Sequence, residues 1–302
     1  MKGWIKQMNN PQEFPLYNKP IPKIYVEEGL NLLYFSDEKP GSFFLHSHDF
    51  IEVMFVLEGK ISISAEGARY PVDKGSIVIV PKGLLHCTIV EEQSLKYERF
   101  VLHIDPKYIE SIIGNYKIES NRFDFLNEPC VRECSQESRW RLRGLLDRIF
   151  YAGERKEEVG RALLQCHTME LMITFLDIMN RDKRSRIAMK NPEVGQIIEY
   201  INKNFTDPAL DMSIITSQVY LSPGYIARLF KEYTGTTIYN FLMQKRLDHA
   251  KELIKEGWMV THACMECGFT DYTSFLKAFK KAYRITPKEY QKKHRPQNAT
   301  EH

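Results

Sequence analysis

The chain has 302 residues, enough for two domains with cores of their own. Hydrophobic residues make up 43% and charged residues 27%, an ordinary globular balance that excludes a disordered or collagen-like chain. The net charge is only +3, but the excess lies in residues 192–302, with 15 Lys and Arg against 12 Asp and Glu, whereas residues 1–191 hold 27 of each. A phosphate-binding surface needs an excess of that sign, so the C-terminal third is where nucleic acid is expected. Met1 to Asn10 lacks the apolar core of a signal peptide. No uninterrupted apolar run reaches the roughly 20 residues of a spanning helix, and the stretch 171–179 is broken by Asp177. The expectation is a cytoplasmic protein with no membrane partner and with six reduced cysteines.

Residues 1–22 carry Pro11, Pro15, Pro20 and Pro22 and read as an N-terminal arm, ordered only where it docks. Residues 23–105 read as β structure. Short runs rich in Val, Ile, Phe and Tyr fall at 30–35, 42–46, 52–57, 61–65, 76–80, 85–90 and 97–104, with turn residues at 58–60, 66–68 and 72–75. Many short strands at regular spacing predict a small barrel or jelly roll. His46 and His48 fall on one face of a strand, because side chains alternate. With Glu52 and His86 they make three imidazoles and a carboxylate, a set suited to a first-row divalent metal. Two other readings stand beside that one: hydrogen bonding to a small effector, and polar groups satisfied within the fold. Phe44, Phe50 and Met54 are in phase with His46 and His48, as walls of a cavity or as plain core.

Gly41, His46-Ser47-His48, Glu52 and Gly59, followed by Gly75, Pro81, Gly83 and His86, resemble the two sequence motifs of the cupin fold. Val90 stands where the second motif has asparagine.

Residues 106–180 predict two helices. Leu142, Leu145, Leu146, Ile149 and Phe150 follow i, i+3, i+4 spacing. Val159, Ala162, Leu163, Cys166, Met169, Met172, Phe175, Leu176 and Met179 read as a second, longer apolar stripe, for packing within the chain or against a second copy. Residues 181–191 read as a polar, basic linker ending before Pro192.

One pattern is then written twice at an offset of 49 residues: Ser222 with Asp271, Ile226 with Phe275, Phe230 with Phe279, Lys231 with Lys280, Thr237 with Thr286 and Phe241 with Tyr290. Ser222 and Asp271 suit N-caps, and Pro223 suits the first helical position. Short helices are expected upstream at 213–219 and 260–267, so each copy reads as a helix-turn-helix. A connecting helix at 238–255 carries apolar residues for both halves, from Phe241 and Leu242 to Leu253 and Ile254. Cys264 and Cys267 form a lone C-x-x-C, read as buried structural cysteines in preference to a zinc or redox pair.

The run from Cys264 through Gly268-Phe269-Thr270-Asp271, then Phe275, Phe279-Lys280, Ile285-Thr286-Pro287 and Tyr290, resembles the signature of the AraC/XylS family of bacterial transcription regulators. Thr216, Tyr220 and Arg284 depart from that pattern at packing and turn positions. The resemblance implies an α+β chain: a cupin-like β-barrel (jelly roll) with trailing helices, then an all-α tandem helix-turn-helix domain at 192–292 and a tail at 293–302. It further implies double-stranded promoter DNA as partner, a homodimer through 106–180, and a small effector, with carbohydrate leading, held by Phe44, His46, His48, Glu52, Met54 and His86. Activation through RNA polymerase is the family's commonest role. The DNA-facing residues are expected to be Gly224, Tyr225, Ala227 and Arg228, with Lys231 on phosphate, and Tyr272, Thr273, Leu276 and Lys277, with Lys280 on phosphate. A metal-dependent cupin enzyme or metal-sensing regulator, using His46, His48, Glu52 and His86, is the competing expectation.

Overall fold

A computed structural model describes residues 24–27, 29–41, 43–92, 96–155, 157–181 and 188–294. The expected arm at 1–22, linker residues 182–187 and tail residues 295–302 lie outside the described residues.

The N-terminal domain is two antiparallel sheets. One is ordered β1(Ile24–Glu27), β2(Leu30–Asp37), β8(Tyr97–Ile104), β3(Ile51–Glu58), β6(Ser76–Val80), β9(Cys130–Glu133). The other is ordered β10(Met189–Lys190), β5(Ala68–Val72), β4(Ile61–Ala65), β7(His86–Val90). Alternation sorts β3 between two cores. Met54 and Val56 point between the sheets with Val78, Val80 and Val101, whereas Val53 and Phe55 face the other way with Ile77, Ile79 and Leu102. That outer core is covered by α1(Pro106–Tyr116), a 3₁₀ segment (Ser120–Leu126), α2(Gln136–Glu154) and α3(Glu158–Arg181). A strand buried on both faces reads as a nearly continuous apolar run, so the buried charge of Glu52 stands out within β3.

Among the described residues, four strands fall outside the expected runs: β1, which pairs with β2, and β5, β9 and β10. β5 carries Pro71 and lies where a turn was expected to end; β9 and β10 are short and are defined by their partners, Ile77↔Arg132 and Met189↔Arg69. The expected strand at 42–46 is not regular in the described residues and retains one bridge, His46↔His86. The expected stripe on α3 is split. Steps of i+3 lag about 60° each on a helix, so the run rotates around the axis. Val159, Leu163 and Cys166 are exposed, whereas Met172, Phe175 and Met179 are buried. By length and composition α3 could cross a membrane; here Leu164, Leu171, Met172, Phe175, Ile178 and Met179 lie in the protein core.

The C-terminal domain is helical: α4(Pro192–Asn204), α5(Met212–Thr216), α6(Pro223–Thr234), α7(Ile238–Lys255), α8(Val260–Glu266), α9(Tyr272–Tyr283) and α10(Pro287–His294). Caps define the ends. Ser222 Oγ accepts from the Tyr225 N–H, Asp271 from Thr273 and Ser274, and Thr237 from Asn240. Thr286 and Glu289 form a reciprocal capping box before α10. α7 gives Ile238, Phe241 and Leu242 to the first helix-turn-helix core, and Leu247, Ala250, Leu253 and Ile254 to the second. Arg246, buried on α7, donates from Nε to Phe205 O and from Nη2 to Asp207 O, both at 2.7 Å, and so ties down the chain leaving α4. Cys264 and Cys267 are free, buried thiols in the second core.

Candidate effector site and DNA-reading helices

The polar cluster is built by three strand neighbourhoods. The segment between β2 and β3 brings His46 and His48, β3 brings Glu52, and β7 brings His86. Each histidine Nδ1 meets a backbone carbonyl: His46 with Phe44 O at 2.9 Å, His48 with Phe50 O at 2.8 Å, and His86 with Leu84 O at 2.9 Å. A carbonyl only accepts, so Nδ1 carries the proton and Nε2 keeps its lone pair. The three rings each offer a nitrogen within 4.8 Å of the others. Glu52 lies among them, 3.8 Å from His48 Nε2 and 3.9 Å from His86 Nε2.

Burial lowers the pKa of all three histidines, furthest for His48 and His86, and favours neutral imidazole. Burial alone would raise Glu52, but the hydrogen bond from His103 and the adjacent imidazoles outweigh it and hold the carboxyl below the usual range. His103, directly opposite Glu52 in the β3–β8 register, has its Nε2 3.5 Å from the carboxylate. Phe50 stacks between His48 and His103, at 4.0 Å from each ring.

The donor set fits a divalent cation. The Nε2 atoms of His48 and His86 are buried and have no hydrogen-bond partner among the described residues. Their Nδ1 atoms are anchored on carbonyls, the arrangement that orients metal-ligating histidines. The carboxylate nearby supplies negative charge. The residues that would hold the ion are His46, His48, His86 and Glu52, and His103 would orient Glu52.

The cluster opens on a cavity of about 680 Å³ between the two domains. That volume suits a small molecule. Phe44, His46, His48, Phe50, Glu52 and His103 form the barrel wall; Tyr239, Gln244, Leu247, Lys251, Tyr283 and Arg284 are among the residues of the opposite wall. His86 lies behind the wall at 1% exposure, and Met54 is in the barrel core with Tyr97. His103 was missed in the sequence, although a histidine within the apolar second half of its strand, Phe100–Ile104, and in phase with Val101, was a usable signal. The wall from the C-terminal domain had no signal in either motif.

Of the residues expected to face DNA, Gly224, Tyr225, Ala227, Arg228 and Lys231 are all exposed on α6, and Tyr272, Thr273, Lys277 and Lys280 on α9. Leu276 is half-buried against the second core. The Arg228 guanidinium stands 5.4 Å from the Tyr225 ring centre. The C-terminal end of α6 abuts the smaller sheet. Arg69 donates to Glu232 O at 2.8 Å, and Cys87 Sγ to Thr234 O at 3.1 Å.

A ligand-sized cavity on a β-barrel, joined to two helix-turn-helix units, defines a protein class that couples small-molecule binding to DNA. The family models agree: an AraC-like ligand binding domain matches residues 30–172, and a helix-turn-helix domain matches residues 215–293. The chain belongs to the AraC family of helix-turn-helix transcription regulators. It is 26% identical, over 78% of its length, to an uncharacterized HTH-type transcriptional regulator of Staphylococcus aureus, and covers 30% of that protein. Thus the chain spans about a third of the length of the first curated relatives it matches. It is 21% identical to the HTH-type transcriptional activator RhaR of Mannheimia succiniciproducens, covering 82% of this chain and 86% of that one. Among solved structures, ToxT of Vibrio cholerae aligns over 89% of this chain and 99% of its own, with 12% identity and a TM-score of 0.41.

Proposed function

We propose that the chain is a cytoplasmic, effector-controlled transcription activator that binds promoter DNA through α6 and α9. A small molecule, with a carbohydrate as the leading class, occupies the cavity between the barrel and the DNA-binding domain. The observation that carries this reading is the cavity itself: one wall is the histidine–glutamate cluster and the other is α7 and α9. A ligand touching both walls has different affinities for different domain arrangements, which is what control requires. Aromatic side chains Phe44, Tyr239 and Tyr283 offer flat faces for sugar rings, and Gln244 and Lys251 offer donors. Exposed Val159, Leu163 and Ile173 on α3, with Trp140 on α2, support a homodimer through these helices. The role is binding rather than turnover, with RNA polymerase as the downstream partner.

A second reading is favoured by the unpartnered Nε2 atoms of His48 and His86. A divalent cation at His46, His48, His86 and Glu52 would supply positive charge to an oxygen-rich ligand, or would itself be the signal.

The test is a thermal-shift screen of the full-length protein against sugars and sugar acids, each with added metal and with chelator. A ligand at 100 times its Kd stabilises the native state by about 2.7 kcal/mol. A sugar shift indifferent to chelator supports the metal-free sensor. A shift that needs metal supports the cation reading. Turnover of the sugar would overturn the non-enzymatic role, and DNA binding that ignores salt would overturn the regulator.

A further inference from the structure

The segment between β2 and β3 carries two kinds of side chain in alternation. His46, His48 and Phe50 belong to the cluster. Ser47 and Asp49, between them, reach the DNA-binding domain. Ser47 Oγ donates to Asp248 Oδ2 at 2.9 Å. Asp49 accepts from Lys255 Nζ at 2.5 Å and lies 3.6 Å from Lys251 Nζ. Positions 248, 251 and 255 fall on one face of α7 by their i, i+3, i+7 spacing.

Asp248 is a hub. Its Oδ1 also accepts from the Tyr283 hydroxyl at 2.5 Å and from Gln244 Nε2 at 3.0 Å. Tyr283 is the last residue of α9, the second recognition helix. One carboxylate therefore joins the histidine segment, the connecting helix and the end of a DNA-reading helix.

The barrel side of this junction is pinned as well. The His46 and His86 backbones exchange hydrogen bonds at 3.0 and 2.9 Å, and the Gly83 N–H donates to His48 O at 2.8 Å. Successive side chains of an extended segment point to opposite sides. A ligand that draws His46 and His48 together therefore displaces Ser47 and Asp49, which share their backbone.

We infer that Ser47 and Asp49 latch the effector segment onto α7, so that occupancy at His46 and His48 is passed to the second helix-turn-helix. The inference rests on the barrel being the effector site. These are positioning residues, because they contact α7 and donate nothing to the histidine cluster. Coupling of this kind is a free-energy difference between two states, reciprocal between the sites.

The experiment compares the full-length wild type with the double variant Ser47→Ala, Asp49→Asn by hydrogen exchange, without metal and with excess Co²⁺. Co²⁺ absorbance records loading of the histidine cluster separately. Without metal, the variant is expected to exchange about three- to tenfold faster over residues 244–255 and 279–283, because exposed ion pairs and single hydrogen bonds are each modest. Residues 194–201 of the first unit keep wild-type exchange. Co²⁺ is expected to change exchange over 244–255 in the wild type and to leave the variant unmoved, with both proteins loading. The variant Lys251→Ala, Lys255→Ala breaks the latch from the helix side and is expected to reproduce the faster exchange.

Wild-type exchange over 244–255 in both metal-free variants overturns the latch. An equal Co²⁺ response in wild type and variant overturns the transmission. Failure of every protein to load Co²⁺ sinks the cation reading alone, and the metal-free comparison still decides the latch.

Discussion

The two helix-turn-helix units follow one pattern, yet their recognition helices end differently. Gly235 closes α6 and Arg284 closes α9, 49 residues apart and at equivalent positions. Both adopt left-handed backbone, φ 70° and 61°, and both donate their N–H to the carbonyl four residues back, Lys231 and Lys280. Glycine adopts that conformation freely and arginine does not. A Cβ on Gly235 would lie 2.7 Å from Cys87 Sγ and 3.1 Å from Ile89, both on β7 of the barrel. The first unit therefore ends in glycine for two reasons, backbone and neighbour. The second ends beside the cavity, where a long side chain has room. The difference reflects where the barrel packs: it is seated on the end of the first recognition helix, whereas it meets the second unit through the Ser47 and Asp49 contacts beside the cavity.

The largest expected effects come from the repeated phenylalanines. Phe230 and Phe279 are both 0% exposed, and each is central to its own core. Truncation to alanine is expected to cost about 3–5 kcal/mol in either unit. The first core includes Leu85 of the barrel, whereas the second is made of C-terminal residues. Phe230→Ala should therefore loosen the barrel contact as well, and Phe279→Ala should spare it. Hydrogen exchange over β7 separates the two; equal protection of β7 in both variants would break the comparison.

Next comes Gly235→Ala. The positive φ costs about 1–2 kcal/mol with a Cβ, and overpacking against a neighbour costs about 1–3 kcal/mol. Denaturant unfolding is expected to show a loss of about 2–5 kcal/mol. A loss below about 1 kcal/mol would mean that β7 yields readily and that the barrel is only loosely seated on α6.

Much of this was legible in the sequence because it is local. N-caps, the i, i+3, i+4 stripes and the 49-residue offset act within one helix or one turn, so they survive in the linear order. The connecting helix at 238–255 is found with its expected bounds. His46, His48, Glu52 and His86 were legible as a set through their motif spacing. His103 joins them only through the pairing of β3 with β8, 51 residues away in the chain, and no spacing rule carries that register. The apolar run on α3 misled for a geometric reason, since i+3 steps alone turn the stripe around the helix. Phe44 and Phe50 were legible as cavity walls, but the opposite wall was invisible because it comes from the C-terminal domain.

Arg228→Ala tests what the first unit reads. The side chain is exposed on α6, and a bidentate contact to guanine suits a guanidinium. The expected loss is about 1–3 kcal/mol at the specific site, with relaxed preference at one base. Lys280→Ala on α9, the expected phosphate contact, is expected to weaken binding uniformly and to flatten the salt slope. Equal loss on specific and random DNA would remove Arg228 from base reading.

The smallest effect, Arg284→Gly, tests the comparison most directly. Arg284 holds φ 61° without the conformational freedom of glycine, at a cost of about 1–2 kcal/mol. Glycine removes that strain but adds freedom to the unfolded chain, which returns about 0.4–1 kcal/mol. The balance is a gain of about 0–1.6 kcal/mol in the ligand-free protein. The same substitution removes a cation from the cavity wall. Stability and ligand response should therefore move in opposite directions: a higher melting point without ligand, and a smaller shift with any anionic ligand that binds in the cavity. If the melting point falls instead, Arg284 makes contacts worth more than its backbone strain, and the wall of the second unit is then as firmly built as the seat of the first.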